Sequence, residues 1–313
     1  MSHDGKKPLA LLIMGPTASG KSVLAVELAR MLSGEIISVD SSLVYRGMDI
    51  GTAKPSVSLR SEIPHHLIDI LDPSEAYTAG RFRSEAMTLI ESILHRGCFP
   101  ILAGGTMLYF NVLLRGLADL PEANPDLRAR IDAEASQKGW PALHERLAAI
   151  DPQVARRIHP NDAQRIQRAL EVYELTGRPM SQWWAHGKED VLPFRVIKVA
   201  VAPSSREELH RRIALRFHEM LQQGLVSEVR RLWQRGDLHP GLPSMRGVGY
   251  RQVWQYLEGH YDYASMVEKA LIATRQLAKR QYTWLRREQE ILWFETGDQK
   301  MAVEVAAAVA RAL

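Results

Sequence analysis

Apolar positions along the chain follow two periods. Residues 11–14, Leu-Leu-Ile-Met, form an unbroken apolar block ending at Gly15, the pattern of a strand buried on both faces. Similar blocks occupy residues 35–40, 99–103 and 194–202, with a shorter apolar stretch at 67–71 and a last strand at 290–295. Between them the spacing becomes helical, at residues 23–32, 78–96, 275–287 and 301–313, and in a helix that starts among residues 203–208 and runs to 221. In the second of these, Phe82, Ala86, Leu89, Ile90 and Ile93 share one side, and Gly97 closes the segment. Alternating strands and helices predict a parallel sheet. Residues 118–193 break that alternation. They lack strand-like runs and read as helices at 127–139, 140–150 and 161–176, the last stopped by Gly177-Arg178-Pro179.

The first strand and first helix enclose Gly15-Pro16-Thr17-Ala18-Ser19-Gly20-Lys21-Ser22, a Gly-x4-Gly-Lys-Ser pattern in strand–loop–helix context. Glycines let backbone amides curl around phosphate oxygens, and a helix N-terminus adds partial positive charge. Lys21 reaches outer phosphates, and Ser22 offers a hydroxyl to magnesium. The expected ligand is a di- or triphosphate, ATP and other nucleotides included. The expected fold is α/β: a P-loop NTPase-like parallel sheet flanked by helices, with an inserted all-helical domain. Its core spans residues 1–117 and 194–313, and the insertion residues 118–193.

Composition narrows the class only modestly. The 313 residues are 46% hydrophobic and 24% charged, ordinary values for a globular protein. One cysteine, Cys98, rules out a disulfide framework or a cysteine-rich zinc module within these residues and reads as a small semi-buried apolar residue. The polar N-terminus lacks a signal-peptide core, and no apolar run reaches membrane-spanning length, so a cytoplasmic protein without membrane contact is expected. A net charge of +4 does not by itself indicate nucleic acid. The clustering of basic residues is more informative.

Several segments carry candidate chemistry. Asp40 closes the strand at 35–40, at the sheet edge where ligands gather, and suits either a magnesium second shell or a general base. Residues 41–55 are glycine-punctuated and read as a functional loop. Gly104-Gly105-Thr106 ends the strand at 99–103 and places backbone and a hydroxyl at the same edge. His65 and His66 lack a third ligand at zinc spacing, so ordinary polar contacts are expected of them. Arg165 and Arg168 lie side by side on a helix packed through Ile166, Ala169, Leu170 and Tyr173. Arg212 and Arg216 lie one turn apart, suited to clamping phosphates or to pairing with Glu208 and Glu219. Residues 245–251 form a flexible glycine turn with Arg246, Tyr250 and Arg251. The helix at 275–287 aligns Arg275, Lys279, Tyr282 and Arg286, cations interleaved with an aromatic as single-stranded nucleic acid favours.

Taken together and in order, these blocks resemble the tRNA dimethylallyltransferase family. The P-loop, Asp40-Ser41-x-x-x-Tyr45, residues 48–55, Gly104-Gly105-Thr106-x-x-Tyr109, Gln164-Arg165-Ile166-Gln167-Arg168, residues 246–251 and Lys279-Arg280-Gln281-Tyr282-Thr283-Trp284-Leu285-Arg286 carry the resemblance. Leu43 stands where many family members have glutamine. No zinc-finger tail of the eukaryotic kind is present, as in bacterial-type enzymes. The resemblance implies transfer of a dimethylallyl group from dimethylallyl diphosphate to N6 of the adenosine 3′-adjacent to the anticodon in tRNA, with Mg2+ as cofactor. It makes Asp40 the base, sets Thr106 and Arg216 beside the reacting centre and diphosphate, and gives Gly15 to Ser22 the diphosphate. It also implies tRNA contacts from Asp40, Ser41, Ser42, Leu43, Thr106, Arg128, Gln164 to Arg168, Arg246, Gly247, Val248, Gly249, Tyr250, Arg251 and Lys279 to Arg286, the insertion gripping the anticodon arm. A monomer is the expected state. The alternative from another class is a P-loop kinase acting on a nucleoside or small metabolite, which the chain up to Ser22 fits equally.

Overall fold

Six strands build one sheet in the computed structural model, which describes residues 7–118, 120–185 and 192–313. They are β1 (Leu9–Met14), β2 (Gly34–Val39), β3 (His65–His66), β4 (Phe99–Gly104), β5 (Arg195–Ala202) and β6 (Ile291–Glu295). Every pairing is parallel, in the order β3-β2-β4-β1-β5-β6. β1 sits centrally, with Ile13 opposite Ala103 on one side and Val199 on the other. All six of its residues are buried, which explains its unbroken apolar run.

Successive side chains of the sheet feed two cores. Leu9, Leu11 and Ile13 join Ile36, Ile101 and Val199 beneath the helices Lys21–Leu32 and Met301–Ala312, through Leu24, Leu28, Val305 and Val309. Ala10, Leu12 and Met14 join Ile37, Val39 and Leu102 on the opposite face. There Phe82, Ala86, Ile90 and Ile93 of the helix Ala79–His95 cover them. Thr78 caps that helix by accepting the Arg81 N–H at 3.1 Å. Covering both faces leaves the carboxyl ends of the central strands as the place for a site.

The apolar stretch at 67–71 adds no strand to the sheet: Leu67 and Asp69 have φ of 61° and 57°, which bends the backbone out of extension. Only His65–His66 pairs with β2. The helix expected at 275–287 is the final part of a 23-residue helix, Tyr263–Leu285.

The described residues up to Leu114 and from Leu192 form one compact unit, and those within Arg115–Val191 a second. The second unit is helical and its core gathers Leu127, Ile131, Leu143, Leu147, Ile166 and Leu170. Asn124, Asp151 and Asp162 cap three of its helices through side-chain oxygens. Residues 1–6, 119 and 186–191, which fall within the expected core and insertion, lie outside the described residues. Among the described residues no helix is long and apolar enough to cross a membrane.

Candidate functional site

At the carboxyl end of β1 the P-loop turns into the helix Lys21–Leu32 through Gly20, whose φ of 86° suits glycine. Side chains from far along the chain tie down its crest. Gln281 Oε1 accepts the Thr17 N–H at 2.9 Å, and Arg216 Nη1 lies 3.4 Å from Thr17 Oγ1. Arg212 Nε donates to the Ala18 carbonyl at 2.9 Å, and Thr296 Oγ1 to that of Ser19 at 2.8 Å. Arg212 and Arg216 thus act together on the loop, while Arg212 also lies 3.7 Å from Glu208.

Lys21 donates to the Pro16 carbonyl at 3.1 Å. Burial and the neighbouring Arg216 push its ammonium down to about 8, with Asp40 opposing. Burial likewise lowers Arg216, opposed by Asp40 and Glu219. Both cations carry their charge at a cost that a bound anion would offset.

Asp40 follows β2 and its Oδ1 accepts the Ser42 N–H at 2.8 Å and the Leu43 N–H at 3.4 Å, fixing the turn that follows. Thr106 follows β4. Its N–H reaches the Val39 carbonyl at 3.1 Å and its Oγ1 accepts the Ser41 N–H at 3.1 Å, so the two strand ends are laced together. The glycines before it are required by packing. A Cβ on Gly104 would meet the Val39 carbonyl at 2.0 Å, and one on Gly105 would meet Gln281 Nε2 at 2.5 Å.

Of these groups Thr17, Lys21, Asp40, Gly105, Arg216 and Gln281 line a cavity of about 410 Å³ together with Tyr250, whereas Thr106 is not part of its lining. A buried carboxylate that belongs to no recognised motif holds one wall. Glu228, on the helix Leu225–Trp233, accepts the N–H groups of Asp49, Ile50 and Gly51 at 2.9, 2.8 and 3.1 Å, and the Tyr250 hydroxyl at 2.5 Å. The loop at 41–55 is therefore pinned from within. Lys54 pins it again, through the Tyr45 carbonyl at 2.8 Å and the carboxylates of Asp49 and Asp69.

The residues implied as tRNA contacts divide by accessibility. Ser41, Gln164, Arg165, Arg246, Arg251, Lys279, Arg280, Thr283 and Arg286 are exposed. Ser42, Leu43 and Val248 line the cavity. Ile166 and Leu285 are core side chains and not the exposed contacts expected of them, and Tyr250 is buried in the cavity wall with its hydroxyl on Glu228. Gly249 is buried at the start of the helix Tyr250–Leu257, which replaces part of the expected flexible turn. Tyr282 packs with Leu209, Ile213 and Ala278, and Trp284 against the larger core. In the helical unit Arg128 and Arg168 are bound to the buried Glu171, and Gln167 donates to Asp132 Oδ1 at 2.6 Å. Arg165 pairs with Asp162 at 3.0 Å while remaining exposed. The two histidines make ordinary contacts, His66 with Glu35 at 2.6 Å and His65 with the Ile63 carbonyl at 2.7 Å. Among the described residues no cluster of His, Cys, Asp and Glu could hold a metal ion.

A family profile described as IPP transferase matches residues 43–288, beginning just after Asp40 and so leaving the P-loop outside the match. The tRNA dimethylallyltransferase of Methylococcus capsulatus is 61% identical over 290 residues, 93% of either chain. That of Alkalilimnicola ehrlichii is 59% identical over 302 residues, covering 96% of this chain and 95% of the relative. Among solved structures, the full-length tRNA isopentenylpyrophosphate transferase of Bacillus halodurans superposes with a TM-score of 0.71 at 37% identity, covering 97% of this chain and 96% of that one. A eukaryotic dimethylallyltransferase acting on tRNA gives a TM-score of 0.81 at 28% identity, with 97% of this chain and 79% of that chain covered. Likeness of this extent joins the P-loop, the clasped strand ends and the helical insertion into one pattern: the chain belongs to the tRNA dimethylallyltransferase family.

Proposed function

We propose that the chain transfers a dimethylallyl group from dimethylallyl diphosphate to N6 of the adenosine 3′-adjacent to the anticodon in tRNA, releasing diphosphate. The observation that carries this reading is the convergence of Lys21, Arg216 and the P-loop with Asp40 on one cavity in a member of this family. An allylic carbon–oxygen bond breaks readily because the developing cation is delocalised, so the chief catalytic requirement is to stabilise the departing diphosphate. Lys21, Arg216 and the helix N-terminus at Lys21–Leu32 supply that stabilisation. As the bond from N6 to the allylic carbon forms, N6 loses a proton, and Asp40 accepts it. Two backbone amides orient its Oδ1, leaving Oδ2 for the proton. Thr106 holds the backbone beside the base through Ser41.

Ser22 and Asp40 present hard oxygen donors to the same cavity, which fits a magnesium ion that takes most of its ligands from phosphate and water. Bound there, it would neutralise charge developing on the diphosphate. The exposed Arg165, Arg246, Arg251, Lys279, Arg280 and Arg286 are the proposed contacts to the RNA backbone.

The test is an incubation with unmodified tRNA, magnesium and dimethylallyl diphosphate, followed by digestion and mass spectrometry of the nucleosides. An adenosine heavier by one dimethylallyl unit, absent without the diphosphate, is the expected product. Its absence together with ATP consumption on a small acceptor would overturn the reading in favour of a kinase. Asp40→Ala should abolish turnover and keep tRNA binding, and retained turnover would remove Asp40 from its role as base.

A further inference from the structure

The helix Tyr263–Leu285 carries exposed cations around one buried amide. Lys279 and Arg280 are exposed, whereas Gln281 is only 8% exposed. Its Oε1 accepts the Thr17 N–H at 2.9 Å, and its Nε2 donates to the Gly105 carbonyl at 2.8 Å. Both ends of the amide are thus committed to protein backbone, one on the P-loop crest and one on the turn after β4.

We propose that Gln281 is a positioning residue: a strap that sets the separation between the diphosphate-holding P-loop and the Gly104-Gly105-Thr106 turn beside Asp40. The contacts run continuously across the site. Thr17 meets Gln281 through its amide and Arg216 through its hydroxyl. Gly105 precedes Thr106, whose Oγ1 accepts the Ser41 N–H, and Ser41 follows Asp40. One side chain therefore links the place where a bond breaks to the place where a proton is taken. Reacting groups must approach within about 3–3.5 Å in alignment, and a misplacement of about 1 Å can reduce the rate about a hundredfold.

The residue type follows from the two partners. A backbone N–H needs an acceptor while a backbone carbonyl needs a donor, at the end of the same arm, and a primary amide supplies both. Glutamate would keep the acceptor, lose the donor and add negative charge beside the diphosphate. Asparagine is one methylene short. Gly105 is the complementary requirement, since any side chain there would displace the amide. The inference rests on the transfer reading above, and it moves Gln281 from an RNA contact to a strap between two loops.

The decisive variants are Gln281→Met, which keeps length without hydrogen bonds, and Gln281→Asn, which keeps the amide and shortens the arm. In each, kcat should fall about a hundredfold, while the tRNA Kd stays within about threefold of the unaltered chain. A tRNA Kd that rises in step with the loss of kcat/KM would overturn the proposal, because Gln281 would then be an RNA contact. So would a kcat within about threefold of the unaltered chain. Hydrogen exchange at the Thr17 amide, read by NMR without any substrate, should accelerate at least about tenfold in Gln281→Met. That arm judges the strap separately: an unaltered chain that makes no product defeats the transfer reading, whereas unchanged Thr17 exchange defeats the strap. Should Gln281→Met fail to fold, Gly105→Ala attacks the strap from its other end. It should reproduce the kcat loss and, combined with Gln281→Asn, add little to it, and additive losses would overturn the proposal.

Discussion

Two cationic clusters, one in each unit, serve opposite ends. In the helical unit Arg128 and Arg168 enclose the fully buried Glu171, at 2.9 and 3.0 Å from Arg128 and 2.6 Å from Arg168, with the Asn124 amide at 2.8 Å. Burial alone would raise that carboxyl, but the two guanidiniums and the amide hold it below the usual carboxylate range. Around the P-loop, Lys21 and Arg216 are pushed down by burial, and Asp40 acts on both through space. A cation that already has its carboxylate supports the fold. A cation held below its ordinary range marks a place suited to an anion. The number of arginines in a segment therefore says little until their counter-charges are known, as Arg128 and Arg168, which the family resemblance offers as RNA contacts, illustrate.

The comparison breaks if the two clusters respond alike to loss of charge. Arg216→Leu should cut turnover about 10³-fold, the scale of removing one preorganised stabiliser of developing charge. Its melting temperature should not fall, since no ion-paired carboxylate loses a partner. Melting far below the unaltered chain would make Arg216 structural and erase the contrast. Glu171→Gln should do the reverse. It leaves two guanidiniums against a neutral amide and should cost about 3 kcal/mol of stability, read by denaturant unfolding of the full chain. The sign with pH follows from the lowered carboxyl. Its stabilisation is complete above the unfolded-state value and lost as pH falls through the folded one, so Glu171→Gln should flatten the acid limb of the stability curve.

What the sequence displayed well was whatever rests on local pattern. β1 and β4 were legible because apolar blocks end in glycine, and the P-loop because its spacing sits between a strand and a helix. The helix Trp140–Ile150 coincides with its expected bounds for the same reason. What escaped depends on partners distant along the chain. Glu228 belongs to no recognised motif, and its four donors come from residues 49–51 and Tyr250. Gln281 sits among exposed cations in a basic motif, and only the fold brings Thr17 and Gly105 to its two ends. The glycines at 104 and 105 were legible as a turn at the ligand edge, but not as clearances for the Val39 carbonyl and the Gln281 amide. Long-range hydrogen bonding leaves no periodic trace.

The smallest effect sharpens the contrast at one residue. Lys21 is held at about 8 against an ordinary 10.5, so the free protein loses its charge as pH rises through 8. Affinity for inorganic pyrophosphate should therefore fall by about tenfold between pH 7 and pH 9, one unit beyond the folded value. Pyrophosphate titrates too, so the reference is Lys21→Arg, which stays charged throughout. The ratio of the two Kd values isolates the lysine, and a ratio flat with pH would remove the proposed shift. Stability without ligand should run the other way. A lysine lowered on folding is a burden below pH 8, and the burden fades between 8 and 10.5 because the unfolded chain then binds more protons than the folded one. Lys21→Met should thus melt higher than the unaltered chain at pH 7, with the advantage shrinking as pH rises. Replacing a residue that only supported the fold would lower the melting temperature at every pH, so the sign of this difference separates an anion site from an ion pair at the level of one ammonium group.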